Sequence, residues 1–179
     1  YFMASMFATS DRWFVPIPSR TQLNRIALMA GTSFGRVYPP DELFPMPQNL
    51  PHIFKQLEDA GISWKVYASH ATFQDGKIIG FDTYLNFFQP FASNFTNKKI
   101  VPISEYFSDV ANGTLPQVAM IESKYRSGDP FKLGVDEQPL DEHPDNNVQK
   151  GAQYAARIIN ALMNSPSWKN SVFIWTFDE

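Results

Sequence analysis

Apolar residues recur along this chain with two distinct periods, and the switches between them mark its elements. Ile53, Phe54, Leu57 and Ala60 fall on one helical face, with Pro51 suited to the first turn and Gly61 to the position just past the helix end. Directly afterwards Ile62, Trp64, Val66 and Ala68 alternate with Ser63, Lys65, Tyr67 and Ser69, the period of a strand. Ile103, Phe107 and Val110 return to helical spacing, closed by Asn112-Gly113, and a strand is expected from Gln117 to Ile121. The longest stripe lies between Asn147 and Asn164, where Val148, Ala152, Ala155, Ile158, Ile159 and Leu162 share a face. Asp145 or Asn146 is available as its cap, and Ser165-Pro166 as its stop. The run Val172-Phe173-Ile174-Trp175-Thr176-Phe177 predicts a terminal strand that delivers two acids, Asp178 and Glu179. Near the start, Ile26, Leu28, Met29 and Ala30 allow a helix whose first turn or cap holds Thr21.

Helices alternating with strands predict an α/β layered fold with a largely parallel sheet. Open sheets of that kind bind ligands beyond the carboxyl ends of their strands, which makes acids at a strand end informative. With 179 residues and 44% hydrophobic content, the chain fits one domain with a core. Fourteen prolines and sixteen phenylalanines suggest short elements joined by rigid loops, with Pro39-Pro40, Pro45, Pro47 and Pro51 punctuating one loop stretch. Tyr1-Phe2-Met3 offers no initiator methionine or signal peptide, and the closing acids are an abrupt end. The 179 residues are therefore expected to be an internal piece of a longer protein, a single partial domain.

A net charge of −3, with no basic block beyond Lys98-Lys99, gives no footprint for nucleic acid. No apolar run approaches the roughly 20 residues that cross a bilayer, which leaves peripheral contact with a lipid surface open. The absence of cysteine excludes disulfides and thiolate metal sites without fixing the compartment. The sequons Asn94-Phe95-Thr96 and Asn112-Gly113-Thr114 would be used only in a eukaryotic secretory pathway.

Three segments place reactive groups at element boundaries. Ser19-Arg20-Thr21-Gln22-Leu23-Asn24-Arg25 opens a helix, and a helix N-terminus favours an anion such as phosphate. Ser19 or Thr21 also suits a plain N-cap. A threonine hydroxyl attacks only when a base or metal lowers its pKa, so an activator must arrive from elsewhere in the fold. Asp141-Glu142-His143-Pro144-Asp145 packs four ionisable groups into five residues, either as a solvated acidic loop or as a presented imidazole oriented by Asp141 or Glu142. His52, in the first turn of a helix, and His70, at a strand end, are expected to be structural. Together Thr21, His143 and Asp178-Glu179 are the constellation of a metal-assisted hydrolase, in which a cation activates a hydroxyl and shields phosphoryl oxygens.

At these residues the sequence resembles the phosphoesterase family that contains bacterial phosphatidylcholine-type phospholipases C, plant non-specific phospholipases C and an acid phosphatase group. Arg12-Trp13-Phe14 with Pro18-Ser19-Arg20-Thr21-Gln22-Leu23-Asn24-Arg25 is similar to its Thr-Gln-Pro-Asn-Arg segment, with Leu23 in place of the usual proline. Ile53-Phe54 through Tyr67 resembles its helix-turn-strand unit, Asp141-Glu142-His143-Pro144 its Asp-x-His-Pro motif, and Ser165-Pro166-Ser167-Trp168 leading to Thr176-Phe177-Asp178-Glu179 its closing strand. The resemblance implies an alkaline phosphatase-like α/β/α sandwich and phosphoester hydrolysis through a phosphorylated hydroxyl. It implies Thr21 as nucleophile and His143 as acid or phosphoryl ligand. Asn24 and Arg25 would contact substrate, and Asp178 with Glu179 would hold a divalent metal of unknown identity. A phospholipid or small phosphoester would be the substrate, and a secreted or periplasmic location is implied too. The family's early Glu-Asn segment and its glycine-rich continuation with an Asp-His pair are not in these residues, so hydrolysis by this stretch alone is not expected. Rival readings are a sulfatase or phosphonate hydrolase of the same superfamily, and a non-catalytic lipid- or carbohydrate-binding protein that keeps the fold.

Overall fold

A computed structural model of the chain describes residues 2–39, 50–74, 77–81, 83–88, 98–124, 139–144 and 146–179. Most of the proline-punctuated loop, the sequon Asn94-Phe95-Thr96 and the proposed cap Asp145 lie outside the described residues. The chain divides into two compact units, Tyr1–Met46 with Thr176–Glu179, and Pro47–Trp175.

Among its described residues the first unit holds two helices, α1 (Phe2–Met6) and α2 (Thr21–Ala30). In α2 the apolar stripe is Leu23, Ile26 and Met29, which are buried, whereas Leu28 points to solvent. The helix stops at Gly31, whose φ of 72° is the left-handed conformation that glycine adopts without a Cβ penalty, and the Gly31 N–H donates to the Ala27 carbonyl. The N-cap position belongs to Arg20, and Thr21 is the first helical residue, so neither Ser19 nor Thr21 is the cap.

The second unit is built from α3 (Ile53–Asp59), β1 (Trp64–Ala68), a hairpin of β2 (Ala71–Gln74) and β3 (Lys77–Phe81), and a 3₁₀ turn at Tyr84–Phe87. It continues with β4 (Ile100–Pro102), α4 (Ile103–Asn112), β5 (Val118–Glu122), α5 (Val148–Met163) and a short 3₁₀ turn at Trp168–Asn170. The architecture is α/β. Three parallel strands form a sheet in the order β4-β1-β5, and β2 pairs with β3 antiparallel. Register aligns Tyr67 with Val101 on one side and with Ile121 on the other.

Strand β1 is central and buried on both faces. The alternation read in the sequence suggests a half-wet strand, but Tyr67 is as buried as Val66, because helices cover both sides. On one face the Phe54 ring of α3 lies 4.8 Å from the Trp64 ring. On the other, Tyr67 and Val101 pack with Tyr106 and Val110 of α4 and Ile158 of α5. That second face buries a polar group and satisfies it. The Tyr67 hydroxyl donates to Asp109 Oδ2 at 2.6 Å, and the same carboxylate accepts from Lys65 Nζ at 2.7 Å and from Thr114 Oγ1 at 2.9 Å. Burial alone would raise the Asp109 carboxyl, but these three hydrogen bonds outweigh it and hold its pKa below the ordinary value.

Helix boundaries follow local chemistry. The helix α3 begins after His52, whose extended backbone makes it the N-cap, so Pro51 precedes the first turn. The N-cap of α5 is Asn147, one residue later than expected from Asn146, and its side chain accepts the Gln149 N–H at 3.0 Å. The larger correction concerns residues 172–177, which form no strand with the described sheet. Phe173 packs against the core, while Val172 and Ile174 are 87% and 75% exposed. An alternating apolar run becomes a strand only when a neighbour takes its N–H and C=O groups, and neither β4 nor β5 does so.

Replacing Asp109 with Ala leaves the buried Tyr67 hydroxyl without its acceptor and should lower unfolding free energy in urea by about 1–3 kcal/mol, more than Tyr67→Phe, which removes the hydroxyl and leaves Asp109 its bonds to Lys65 and Thr114. Equal losses in the two variants would contradict the assignment. His52 supplies a pH dependence. Its ring is buried 4.8 Å from the Phe88 ring, and burial, with the nearby Lys55 charge, lowers its pKa below 6.5. The unfolded chain therefore binds the proton more readily, so this contribution is complete above about pH 6.5 and is lost on acidification through the folded pKa. Urea midpoints should fall from pH 7.5 to pH 5, and less steeply in His52→Phe.

Candidate functional site

The first unit holds five side chains that sequence reading singled out, Thr21, Asn24, Arg25, Asp178 and Glu179. Thr21 starts α2, and Arg25 follows one turn later, so both project from the same edge of the helix. Thr21 Oγ1 donates to Glu179 Oε1 at 2.9 Å, across 158 positions of sequence. Arg25 Nε donates to Asp178 Oδ2 at 2.8 Å, a charged pair in which both side chains are partly buried. The Thr21 hydroxyl is thus occupied with a carboxylate rather than with capping its own helix.

Asn24 lies on the inner side of the same turn and is only 4% exposed. Its Oδ1 accepts the Ile17 N–H at 3.2 Å, and its Nδ2 donates to the Ser19 carbonyl at 3.5 Å. Ser19 Oγ in turn donates to the Val37 carbonyl at 2.9 Å. The amide therefore ties the approach segment to the helix that carries Thr21, which fixes the hydroxyl's starting geometry.

His143 belongs to the second unit, in the loop that leads into α5, and is exposed. Its Nδ1 lies 2.9 Å from the Pro144 carbonyl oxygen. A carbonyl only accepts, so Nδ1 carries the hydrogen, and Nε2 is the nitrogen left to take or give a proton. The orienting partner is this carbonyl, not Asp141 or Glu142. Asp141 instead accepts from the Asn146 amide, and the Asn146 N–H donates to the His143 carbonyl at 3.0 Å, so the loop is latched on itself.

The phosphoesterase family profile matches residues 1–179, the whole chain. The chain belongs to the phosphoesterase family. It is similar to non-specific phospholipase C4 of Arabidopsis thaliana, 30% identical over 97% of this chain and 29% of that protein. Phospholipase C B of Mycobacterium tuberculosis is 26% identical over 100% of this chain and 34% of its own length. Non-hemolytic phospholipase C of Burkholderia pseudomallei is 26% identical over 100% of this chain and 28% of its own length. This phosphoesterase-family chain thus spans about 30% of the length of the curated relatives it matches.

Two carboxylates and a hydroxyl are hard oxygen donors, a set that suits a small divalent cation held by one or two carboxylates with water and substrate phosphate completing its shell. Among the described residues no group of three or more His, Cys, Asp or Glu side chains stands at ligating distance, and Asp178 is already engaged by Arg25. The donor types fit, and the protein's share of ligands in this family member's first unit would be Asp178 and Glu179.

One acidic residue escaped the sequence reading. Glu122, at the carboxyl end of β5, is 1% exposed and accepts from Thr83 Oγ1 at 2.9 Å and from the Tyr84 N–H at 3.2 Å. The rule that drew attention to Asp178, an acid at a predicted strand end, applied equally to Glu122. A shallow recess of about 370 Å³ lined by Lys65, Lys98 and Lys99 lies at the amino ends of the strands. Lys65 and Lys99 there are ion-paired with Asp109 and Glu58, so it presents little net positive charge to an anion.

Proposed function

We propose that this chain contributes the nucleophile segment of a phosphoester hydrolase, in which Thr21 attacks phosphorus and becomes transiently phosphorylated. The observation that carries the reading is the Thr21 hydroxyl donating to Glu179 at 2.9 Å, with Asp178 held beside it by Arg25. A hydroxyl whose proton already points at a carboxylate has an acceptor ready as the oxygen attacks. Attack forms the Thr21 Oγ–P bond and breaks the P–O bond to the leaving group. The Thr21 proton passes to Glu179, and the leaving oxygen takes a proton from a general acid, the role that the family resemblance implies for His143. Water then forms a new O–P bond as the Thr21 Oγ–P bond breaks, Glu179 returns its proton to Thr21 Oγ, and the proton lost by the water restores the acid. Arg25 adds positive charge one turn from Thr21 and, with the amino end of α2, favours the phosphoryl anion; Asn24 keeps the turn in register for that contact. A divalent cation held by Asp178 and Glu179, when bound, would lower the hydroxyl pKa and neutralise phosphoryl oxygens.

Relatives bearing the name phospholipase C support a phospholipid as the substrate class, with small phosphoesters as the simpler alternative. The same relationship supports a single phosphoesterase domain of alkaline phosphatase-like α/β/α type. The described sheet, covered by α3 on one face and by α4 and α5 on the other, is compatible with it. A secreted or periplasmic site of action and peripheral contact with lipid belong to this proposal.

In the whole protein, Thr21→Ala should reduce headgroup release from phosphatidylcholine by roughly three orders of magnitude or more, since the nucleophile is gone. Its unfolding should change by less than about 0.5 kcal/mol, because Thr21 does not cap its helix. Turnover at the wild-type rate in that variant would sink the nucleophile assignment. Chelation with EDTA should abolish activity, and a divalent ion should restore it. A chelated enzyme that keeps full activity would remove the cation from the scheme while leaving the Thr21 test to stand separately.

A further inference from the structure

We infer that Gly151, a residue that touches none of the reacting groups, positions His143 by letting the acidic loop lie against the first turn of α5. The inference rests on the reading of His143 as a working acid. Gly151 is buried inside a helix, where glycine is less favourable than alanine, and its φ lies outside the left-handed range that would demand a glycine. Backbone conformation therefore gives no reason for it. Space does. A Cβ at this position would stand 3.1 Å from Glu142 Cγ, 3.2 Å from the Asp141 carbonyl oxygen and 3.2 Å from the Leu140 carbonyl oxygen.

Those neighbours are the three residues immediately before His143. Two of the contacts are backbone oxygens, which cannot swing aside as a side-chain end can. The segment is also tethered on both sides. The Leu140 N–H donates to the Lys124 carbonyl at 3.0 Å, and Asn146 bonds both the Asp141 carboxylate and the His143 carbonyl. With the ring itself fixed on the Pro144 carbonyl, a shift of residues 140–142 is passed to the imidazole rather than absorbed. A methyl at Gly151 thus moves the loop outward by a few tenths of an ångström and takes His143 Nε2 with it.

The test uses the whole protein with phosphatidylcholine as substrate and compares Gly151→Ala, His143→Gln and the double variant. Gly151→Ala should lower kcat by about 10- to 100-fold and leave KM within about twofold, because displaced catalytic groups cost rate rather than binding. In the His143→Gln background the same substitution should add little, since the group being displaced is gone. A purely structural effect would instead add in full. If Gly151→Ala does not yield folded protein, Asn146→Ala, which removes the side-chain latch on Asp141 without adding bulk, takes its place and must show the same non-additive loss of kcat. Wild-type kcat in the folded loop variant beside an impaired His143→Gln overturns the positioning role and spares the proposed mechanism. Wild-type kcat in His143→Gln overturns the mechanism's acid, and the inference with it.

Discussion

The second unit depends on β1 being buried on both faces while still meeting the needs of every polar group it carries. A strand between two parallel neighbours has its backbone satisfied by the ladder, which leaves side chains as the only liability. Tyr67 is that liability, and Asp109 answers it from α4. The same carboxylate recruits Lys65 from β1 and Thr114 from the turn after α4, so one partly buried acceptor fixes strand, helix and turn together. Because removing the Asp109 carboxylate would leave the buried Tyr67 hydroxyl without its acceptor, the packing of α4 on β1 tolerates little change. Glu122, Ser69 and Tyr154 meet near the carboxyl end of that sheet. There the Ser69 N–H donates to the Glu122 carbonyl, and the Ser69 and Tyr154 hydroxyls are hydrogen-bonded.

Helical periodicity was legible in the sequence because burial there is one-sided. Helices α3, α4 and α5 each bury part of the expected stripe, with Ile53, Ala60, Val148 and Ala152 exposed instead, and Gly113 takes the left-handed conformation that ends α4, as Asn112-Gly113 suggested. Strand signals were less complete. The three-residue β4 and the hairpin of β2 and β3 are too short to show a period, and Tyr67 looked like a solvent-facing position because its hydroxyl's partner lies 42 residues away. Residues 172–177 show the opposite error. Their composition is that of a buried strand, yet strand identity resides in pairing, which a single segment's sequence does not encode.

At the site, residue types were legible and pairings were not. A hydroxyl at a helix start and two acids at the close of an apolar run suggested chemistry, but nothing local specifies that Glu179 takes Thr21 while Asp178 takes Arg25. Those pairs span more than 150 positions and follow from how Thr176–Glu179 join the first unit. The orientation of His143 was misread for a related reason. Acidic neighbours in sequence drew attention, whereas the nearest acceptor in space is the carbonyl of the following proline.

Charge accounting connects this arrangement to the proposed chemistry. Within the hydrogen-bonded group of Thr21, Arg25, Asp178 and Glu179, two carboxylates face one guanidinium, a balance of one negative charge beside the attacking oxygen. That balance suits proton removal from Thr21, because a carboxylate accepts what a cation would repel. It opposes the approach of a phosphoryl anion, since like charges a few ångströms apart in a partly buried site repel by several kcal/mol at an effective dielectric of about 20. Arg25 and the amino end of α2 offset part of this, and Arg25 is itself committed to Asp178. The remaining imbalance is what a divalent cation would correct: its charge would turn the surrounding field from repulsive to attractive for a phosphoryl anion. Within the proposal, the argument for a cation therefore rests on the electrostatics of these four side chains.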